Sequence, residues 1–485
     1  MDRHLYAWHG ADGSDVGGFP VEVIDPSKIT AIDPTTGAPT FKSGLGDELD
    51  QGAIVDTPAV GDISGDGKPE IVVGTNEEYP ADSDGGFNGG LLNTASLTLA
   101  TKLGVLSPGN SRLYALSASG KLLSGWPVKV GQVETDLLPV VGEGITGAPV
   151  IGPASCPSDA GGPNKAGVIA DAGLGYLFNS DGSSCYGQSP GNDGAMHDNA
   201  LQSDFAVGNG KFDTPAIPAV GLPAFGDFGG SVSFLAPTAG LLRSLDVALP
   251  EYQGGQDFLS AWDVSSGQFR PGFPAPVNDL QFLTGPSVAD IDGKPGEEAL
   301  GGSASLDLNA FDSTGTQVSG WPKLTSDWTA ANPVIGPFGG GAHKDVLGLT
   351  RSGVVLGYST SAPDCSPGSW PRFHHDNANS GEYSRDALAP GHPYDGSVSG
   401  SVLAFTAPGD DLLCGTAARY EAVQSSQPIT GANFAGAEAL PGAPAPAEAG
   451  TRQTLALPAG HKRYIAIRAV DEQGNVGPPL VVDTH

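Results

Sequence analysis

Leu113-Tyr114-Ala115-Leu116, then a turn, then Gly125-Trp126-Pro127: this phrase decides the fold, because the chain repeats it. Leu308-Asn309-Ala310-Phe311 leads to Gly320-Trp321-Pro322. Leu5-Tyr6-Ala7-Trp8 leads to Gly18-Phe19-Pro20, and Leu259-Ser260-Ala261-Trp262 to Gly272-Phe273-Pro274. Ser369-Trp370-Pro371 reads as a last copy. Phe273, Trp321 and Trp370 stand 48 and 49 residues apart. A period near 50 with alternating apolar runs is the mark of four-stranded blades stacked around an axis. The expected class is all-β: a β-propeller of about six blades, seven in a longer chain, followed by a small β-sandwich.

Each repeat has two halves. The first reads Pro58-Ala59-Val60-Gly61-Asp62, a Gly/Asp loop, then Glu70-Ile71-Val72-Val73-Gly74. Alternation around a tight loop predicts a hairpin, the inner pair of a blade. The Trp-Pro phrase is then the outer pair. Further first halves are read at 147–152, 218–221, 285–290 and 332–336, with second halves at Tyr176-Leu177-Phe178 and Val355-Leu356-Gly357-Tyr358. The aromatics recur at one register, so they are expected to pack between blades rather than stack on sugar.

The domain boundaries expected are 1–380 for the propeller, 381–395 for a linker, and 396–485 for the sandwich. Segments 26–53, 76–111 and 182–212 interrupt the blades as long Gly/Asn/Ser/Asp-rich loops. Loops of that length are more often functional or disordered than neutral. The chain opens directly in a second half of a blade. The reading therefore expects an upstream segment carrying a signal peptide and at least half a blade.

Composition bounds the function. Lys+Arg total 23 against 54 Asp+Glu, for a formal net charge of −31. Phosphate binding needs clustered cations, so nucleic-acid partners are excluded. The acidity fits either general solubility or divalent-cation binding at a few Asp clusters. No apolar run is long enough to span a bilayer, so no membrane insertion is expected. Cys156, Cys185, Cys365 and Cys414 have no CxxC spacing. Two disulfides in an oxidising compartment are expected, with the pairing left open by the sequence.

Val60-Gly61-Asp62-Ile63-Ser64-Gly65-Asp66-Gly67-Lys68-Pro69-Glu70-Ile71-Val72-Val73 resembles the FG-GAP (VCBS-type) repeat of integrin-like propellers. The closing stretch Trp370 to Gly381 is similar to one that secreted bacterial members carry. Leu457-Pro458-Ala459-Gly460 through Gly477 resembles a fibronectin type III module, in which Tyr464 would make a corner hydrogen bond. The FG-GAP resemblance implies structural Ca²⁺ held by Asp62, Ser64, Asp66 and Glu70, with the Lys68 carbonyl as a fifth oxygen. Ser64 and Glu70 replace the usual Asp or Asn and the usual Asp. Ca²⁺ takes six to eight hard oxygens at about 2.4 Å, which these side chains, backbone and water could supply. A weaker site is expected at Asp290, Asp292 and Glu297. Loops at Asp227 and Asp345 carry too few acids.

No Gly-x-Ser-x-Gly, His-Glu-x-x-His or phosphate loop occurs, and no catalytic residue is assigned. Adjacent His374 and His375 are expected to serve blade closure. The favoured function is a secreted or cell-surface binding or adhesion protein, expected to be a monomer. Its calcium-supported propeller would present loops to an extracellular protein or glycan. The alternatives are a propeller enzyme acting on polysaccharide, a quinone-dependent dehydrogenase, or an accessory unit of an upstream catalytic domain.

Overall fold

The computed structural model describes residues 3–43, 54–75, 77, 106–108, 112–130, 133–135, 145, 147–169, 175–186, 195–196, 215–217, 221–240, 256–281, 284–386 and 388–484. The chain divides into two compact units. Met1–Ala362, Ser366–His375 and Asn379–Arg385 form the first; Pro363–Cys365, Asp376–Ala378 and Asp386–His485 form the second. Gly381 to Arg385, expected as linker, stays with the first unit. The interruptions at 76–111 and 182–212 fall largely outside the described residues, whereas part of 26–53 is a hairpin of Ile29–Ile32 with Pro39–Phe41.

The first unit is a β-propeller. Its sheets are antiparallel, and the two-halves reading is their strand order. Ala59–Gly61, Glu70–Thr75, Arg112–Ser117 and Val128–Lys129 lie side by side in that order. The inner strands of the next sheets are Val150–Pro153, Ala224–Asp227, Ser287–Ala289 and Val334–Gly336; Pro215–Ile217 also pairs with Val232–Gly240, the strand that Ala224–Asp227 joins. These inner strands pack against one another in chain order around an axis. A two-stranded hairpin, His4–Leu5 with Val21–Glu22, precedes them, as an outer pair should.

One inner strand sits elsewhere than expected. The third is Ala224–Asp227, not the 218–221 stretch, of which 218–220 lie outside the described residues. Pro223-Ala224-Phe225-Gly226-Asp227 is the true copy of Pro58-Ala59-Val60-Gly61-Asp62.

The core lies between neighbouring sheets. Trp126 packs edge-on against Phe178 of the next blade, centroids 6.1 Å apart, and its Nε1–H donates to the Ser180 carbonyl at 2.9 Å. Trp321 meets Tyr358 of the following sheet in the same way at 6.2 Å. Each large side chain buried there contributes about 1.5–3 kcal/mol. The aromatic of the repeated phrase is thus a blade-to-blade wedge.

Trp370 is a correction to that pattern. Ser369-Trp370-Pro371 is no outer edge. It belongs to a strap, residues 366–375 and 379–383 of the first unit, that hydrogen-bonds to the inner strand of every blade named above. Val288 and Trp370 exchange backbone bonds of 2.7 and 3.0 Å. Ile335 N–H donates to Pro371 O at 2.8 Å, Val60 N–H to Ser380 O at 2.7 Å, and Ile151 N–H to Gly381 O at 2.6 Å. Asp227 N–H donates to Ser369 Oγ at 2.8 Å. His374 is buried in the strap, its ring nitrogens 2.7 Å from Asn379 O and 2.9 Å from Pro149 O. It therefore closes the blades rather than facing a site.

The described residues of the second unit form a seven-stranded sandwich. One sheet orders Tyr394–Ser399, Val402–Thr406 and Arg452–Ala456. The other orders Glu438–Ala439, Arg419–Ser425, Tyr464–Val470 and Leu480–Asp483. Leu403, Phe405, Leu455, Ile465 and Ile467 fill the space between. Tyr464 uses its ring rather than a corner bond: it packs beside Val423, Ile429 and Phe434, with the Arg463 guanidinium 5.2 Å over its face.

Both expected disulfides form, Cys156–Cys185 and Cys365–Cys414, each with Cα atoms 5.3 Å apart. Such bridges persist in oxidising, extracellular-type compartments. Among the described residues no helix is long and apolar enough to cross a membrane.

Candidate metal centre

The inner hairpin of each blade places one side chain at a fixed register. It is the residue paired with the third inner-strand position, at the exit of the Gly/Asp turn. In the first full blade Gly61 pairs with Glu70. In the fourth Ala289 pairs with Glu298. Among the described residues, these two turns gather three acids each.

Asp62, Asp66 and Glu70 bring carboxylate oxygens within 4.8 Å of one another. An ion about 2.4 Å from each ligand bridges oxygens no farther apart than about 4.8 Å, so the set has the span Ca²⁺ requires. The turn holds its acids with backbone donors. Gly65 and Gly67 N–H groups donate to the two Asp62 oxygens at 2.6 and 2.8 Å. Ile63 and Ser64 N–H groups donate to Glu70 Oε2 at 2.9 and 3.1 Å. Ser64 Oγ lies 3.4 Å from Asp62 and 3.3 Å from Glu70, inside the same cradle. Lys68 enters through its N–H, 2.9 Å from Asp66 Oδ1, while its exposed ammonium takes the outer Asp66 oxygen at 3.2 Å. Burial pushes the Glu70 carboxyl up; the Ser64 and Ile63 N–H groups oppose this, and the Asp62 charge adds to it. The Lys68 N–H and ammonium hold Asp66 below its usual range.

The second group is Asp290, Asp292 and Glu298, also within 4.8 Å. Glu298, not the expected Glu297, completes it. Ile291 N–H donates to Glu298 Oε2 at 2.8 Å, as Ile63 does to Glu70. Burial pushes Glu298 up to about 7, and the facing Asp292 and Asp290 charges act the same way. Glu297 points to the opposite face of the strand, where it accepts from the Ser369 N–H at 3.1 Å and from the Ser369 hydroxyl. A neighbour on a strand always faces away. The signal was in the spacing: Asp62 to Glu70 and Asp290 to Glu298 both span eight residues.

The other blades fill the register position differently. Gly152 pairs with Lys165, whose fully buried ammonium lies 2.5 Å from Gly162 O and 2.8 Å from Asp159 Oδ1. This blade carries its own cation where two others gather carboxylates. Gly226 pairs with Ser233, which accepts from Arg270 at 2.9 Å. Gly336 pairs with Asp345, a single acid that accepts from Gly339 N–H at 2.7 Å.

No protein-family model matches the chain, and no curated protein matches it. Several solved structures are similar in architecture. The rhamnogalacturonan lyase YesW is 12% identical, covering 99% of this chain and 85% of its own, with a TM-score of 0.34. The quinohemoprotein alcohol dehydrogenase ADHIIG from Pseudomonas putida HK5 is 13% identical, covering 66% and 59%, with a TM-score of 0.31. The V. cholerae biofilm matrix protein Bap1 is 13% identical, covering 90% and 68%, with a TM-score of 0.28. Likenesses this weak say nothing of activity.

Proposed function

We propose that the chain is a secreted or cell-surface binding protein whose FG-GAP-like propeller is braced by Ca²⁺ and whose second unit is a fibronectin type III-like module. The observation that carries the reading is the strap of residues 366–375 and 379–383. It hydrogen-bonds to the inner strands of five successive blades, so polypeptide occupies the axis around which they pack. A propeller filled along its axis offers its blade loops, held by a rigid scaffold, as the surface for recognition.

Calcium in this reading is structural. Asp62, Ser64, Asp66 and Glu70, with the Lys68 carbonyl, would hold one ion; Asp290, Asp292 and Glu298 would hold a second. Bound there, the ion supplies the positive charge that the crowded carboxylates of each turn lack. It would pin an inner hairpin at the turn, as Lys165 does with its own ammonium. The order of the sandwich strands, three in one sheet and four in the other with the last strands at the edge, supports the fibronectin-like reading.

The test is an array of glycans and extracellular proteins probed with the intact chain in Ca²⁺ and in chelator. A ligand captured in Ca²⁺ and lost in chelator supports the proposal. Turnover of a polysaccharide panel, or an unchanged melting temperature across both conditions, would overturn it.

A further inference from the structure

The first hairpin exposes a face that the other copies of the repeated phrase bury. Its strand, begun by His4–Leu5, continues to Trp8, which bridges Asp15. Leu5 and Ala7 point toward the next blade and pack among Val23, Val73, Tyr114 and Leu116. Side chains alternate along a strand, so His4, Tyr6 and Trp8 share the opposite face. There Tyr6 is 47% exposed and Trp8 59%. At the same register in other copies Tyr114 is 1% exposed, Leu116 2%, Trp262 0% and Phe311 3%. Large apolar groups left together on a surface mark an interaction site, whereas scattered ones need no explanation.

The exposed face has the geometry of a platform. The Tyr6 and Trp8 rings lie parallel to within 7°, centroids 5.6 Å apart, and the His4 ring lies 6.1 Å from Tyr6. A flat ligand group lying on one ring is therefore aligned with the other. Beside the rings a cavity of about 810 Å³ is lined by Arg3, His4, Tyr6, Trp8, Ile54 and Pro58. Sites for small ligands run to about 300–1,000 Å³ and combine aromatic walls with a few polar groups, as this one does. Glu22 pairs with His4 across the hairpin, so the two side chains share this face. Glu22 Oε2 is buried there without a hydrogen-bond donor.

We propose that this face binds a neutral oligosaccharide. A pyranose carries a flat C–H face and a rim of hydroxyls. The parallel rings of Tyr6 and Trp8 take the first, and Glu22 Oε2 accepts from the second, with N–H groups of Arg3 and His4 on the cavity wall as donors. A dry apolar partner, such as another protein's sheet, would cover the rings but leave the Glu22 oxygen unsatisfied, which is costly. The formal net charge of −31 repels anionic glycans and so favours neutral ones. The inference rests on the binding-protein reading and gives it a ligand class and a site.

The experiment titrates the intact chain in Ca²⁺ with cellohexaose, xylohexaose, mannohexaose and hexagalacturonate, read by calorimetry. Saturable binding of a neutral hexasaccharide, and none of hexagalacturonate, is expected. Trp8→Ala should weaken that binding about tenfold, as the loss of one stacked ring would. Tyr6→Ala and Glu22→Ala should weaken it as well. The melting temperature of Trp8→Ala should match wild type, because the ring is exposed, so a loss of binding is not a loss of fold. Leu324→Ser, at an exposed position on another blade, should bind as wild type does. Failure of all three neutral sugars to bind, preference for hexagalacturonate, or equal binding by wild type and Trp8→Ala would overturn the site. So would a dimer, seen by light scattering, that Trp8→Ala dissolves, since the face would then join two copies. An array ligand captured equally by wild type and Trp8→Ala would leave the binding-protein reading standing while this site falls.

Discussion

Gly125 and Gly182 face each other across a blade boundary. A β-carbon on Gly125 would fall 1.8 Å from the Asp181 carbonyl oxygen, and one on Gly182 would fall 2.4 Å from the Gly125 carbonyl. Gly272 with Gly315, and Gly18 with Gly120, repeat the relationship. In these three copies the glycine of the Gly-aromatic-Pro phrase is where one blade's outer turn touches the next; at Gly320 only Lys323 Nζ, 3.9 Å away, lies near the added carbon. It also has positive φ, +87° at Gly125.

Gly125→Ala is expected to cost about 2–4 kcal/mol, the left-handed backbone accounting for about 1 of that and the collision for the rest. Gly13→Ala is the control. Its φ is +73° but nothing lies within 4 Å of the added carbon. Urea unfolding of the two variants should separate the terms; equal losses would show that the blade contact contributes nothing.

Glu298 and Glu297 make a second comparison between neighbours. Glu298→Gln should reduce the rise in stability that saturating Ca²⁺ gives. At a hundredfold excess over Kd that rise is about 2.7 kcal/mol per site. Glu297→Gln should leave the calcium response intact, because its carboxyl faces Ser369. Melting curves in Ca²⁺ and in chelator decide the matter.

Glu297 has its own signature in pH. Burial pushes it up to about 7 against the opposing Ser369 hydrogen bonds. The folded protein then holds this proton more tightly than the unfolded chain, whose glutamate titrates near 4.3. The stability it confers is complete below that value and is lost as pH rises through about 7. The difference in stability between wild type and Glu297→Gln, both in chelator, should therefore shift by up to about 3 kcal/mol between pH 4 and pH 8. A difference that stays flat with pH would refute the assignment.

What the sequence revealed follows range. The two halves of a blade are local hairpins, so apolar alternation and the Gly-aromatic-Pro phrase showed them. The three acids of the first turn, Asp62, Asp66 and Glu70, lie within nine residues, so the sequence alone could group them. Glu297 was a one-residue slip, and on a strand such a slip turns the side chain to the other face. Trp370 carries the same two letters as Trp321 but pairs with Val288, some eighty residues earlier in the chain, and no local pattern encodes that.

Lys165 offers the sharpest test of the register argument. It holds the position that Glu70 and Glu298 hold in their blades, with its ammonium on Gly162 O and Asp159. If an internal cation does there what Ca²⁺ does elsewhere, Lys165→Met should destabilise the propeller by about 1–3 kcal/mol, since Asp159 is half exposed and rehydrates in part. The loss should be the same in Ca²⁺ and in chelator. Glu298→Gln should behave in the opposite way, differing from wild type in Ca²⁺ far more than in chelator. Calcium-dependent destabilisation by Lys165→Met would mean that this blade, too, draws on the ion, and the division between the blades would fall.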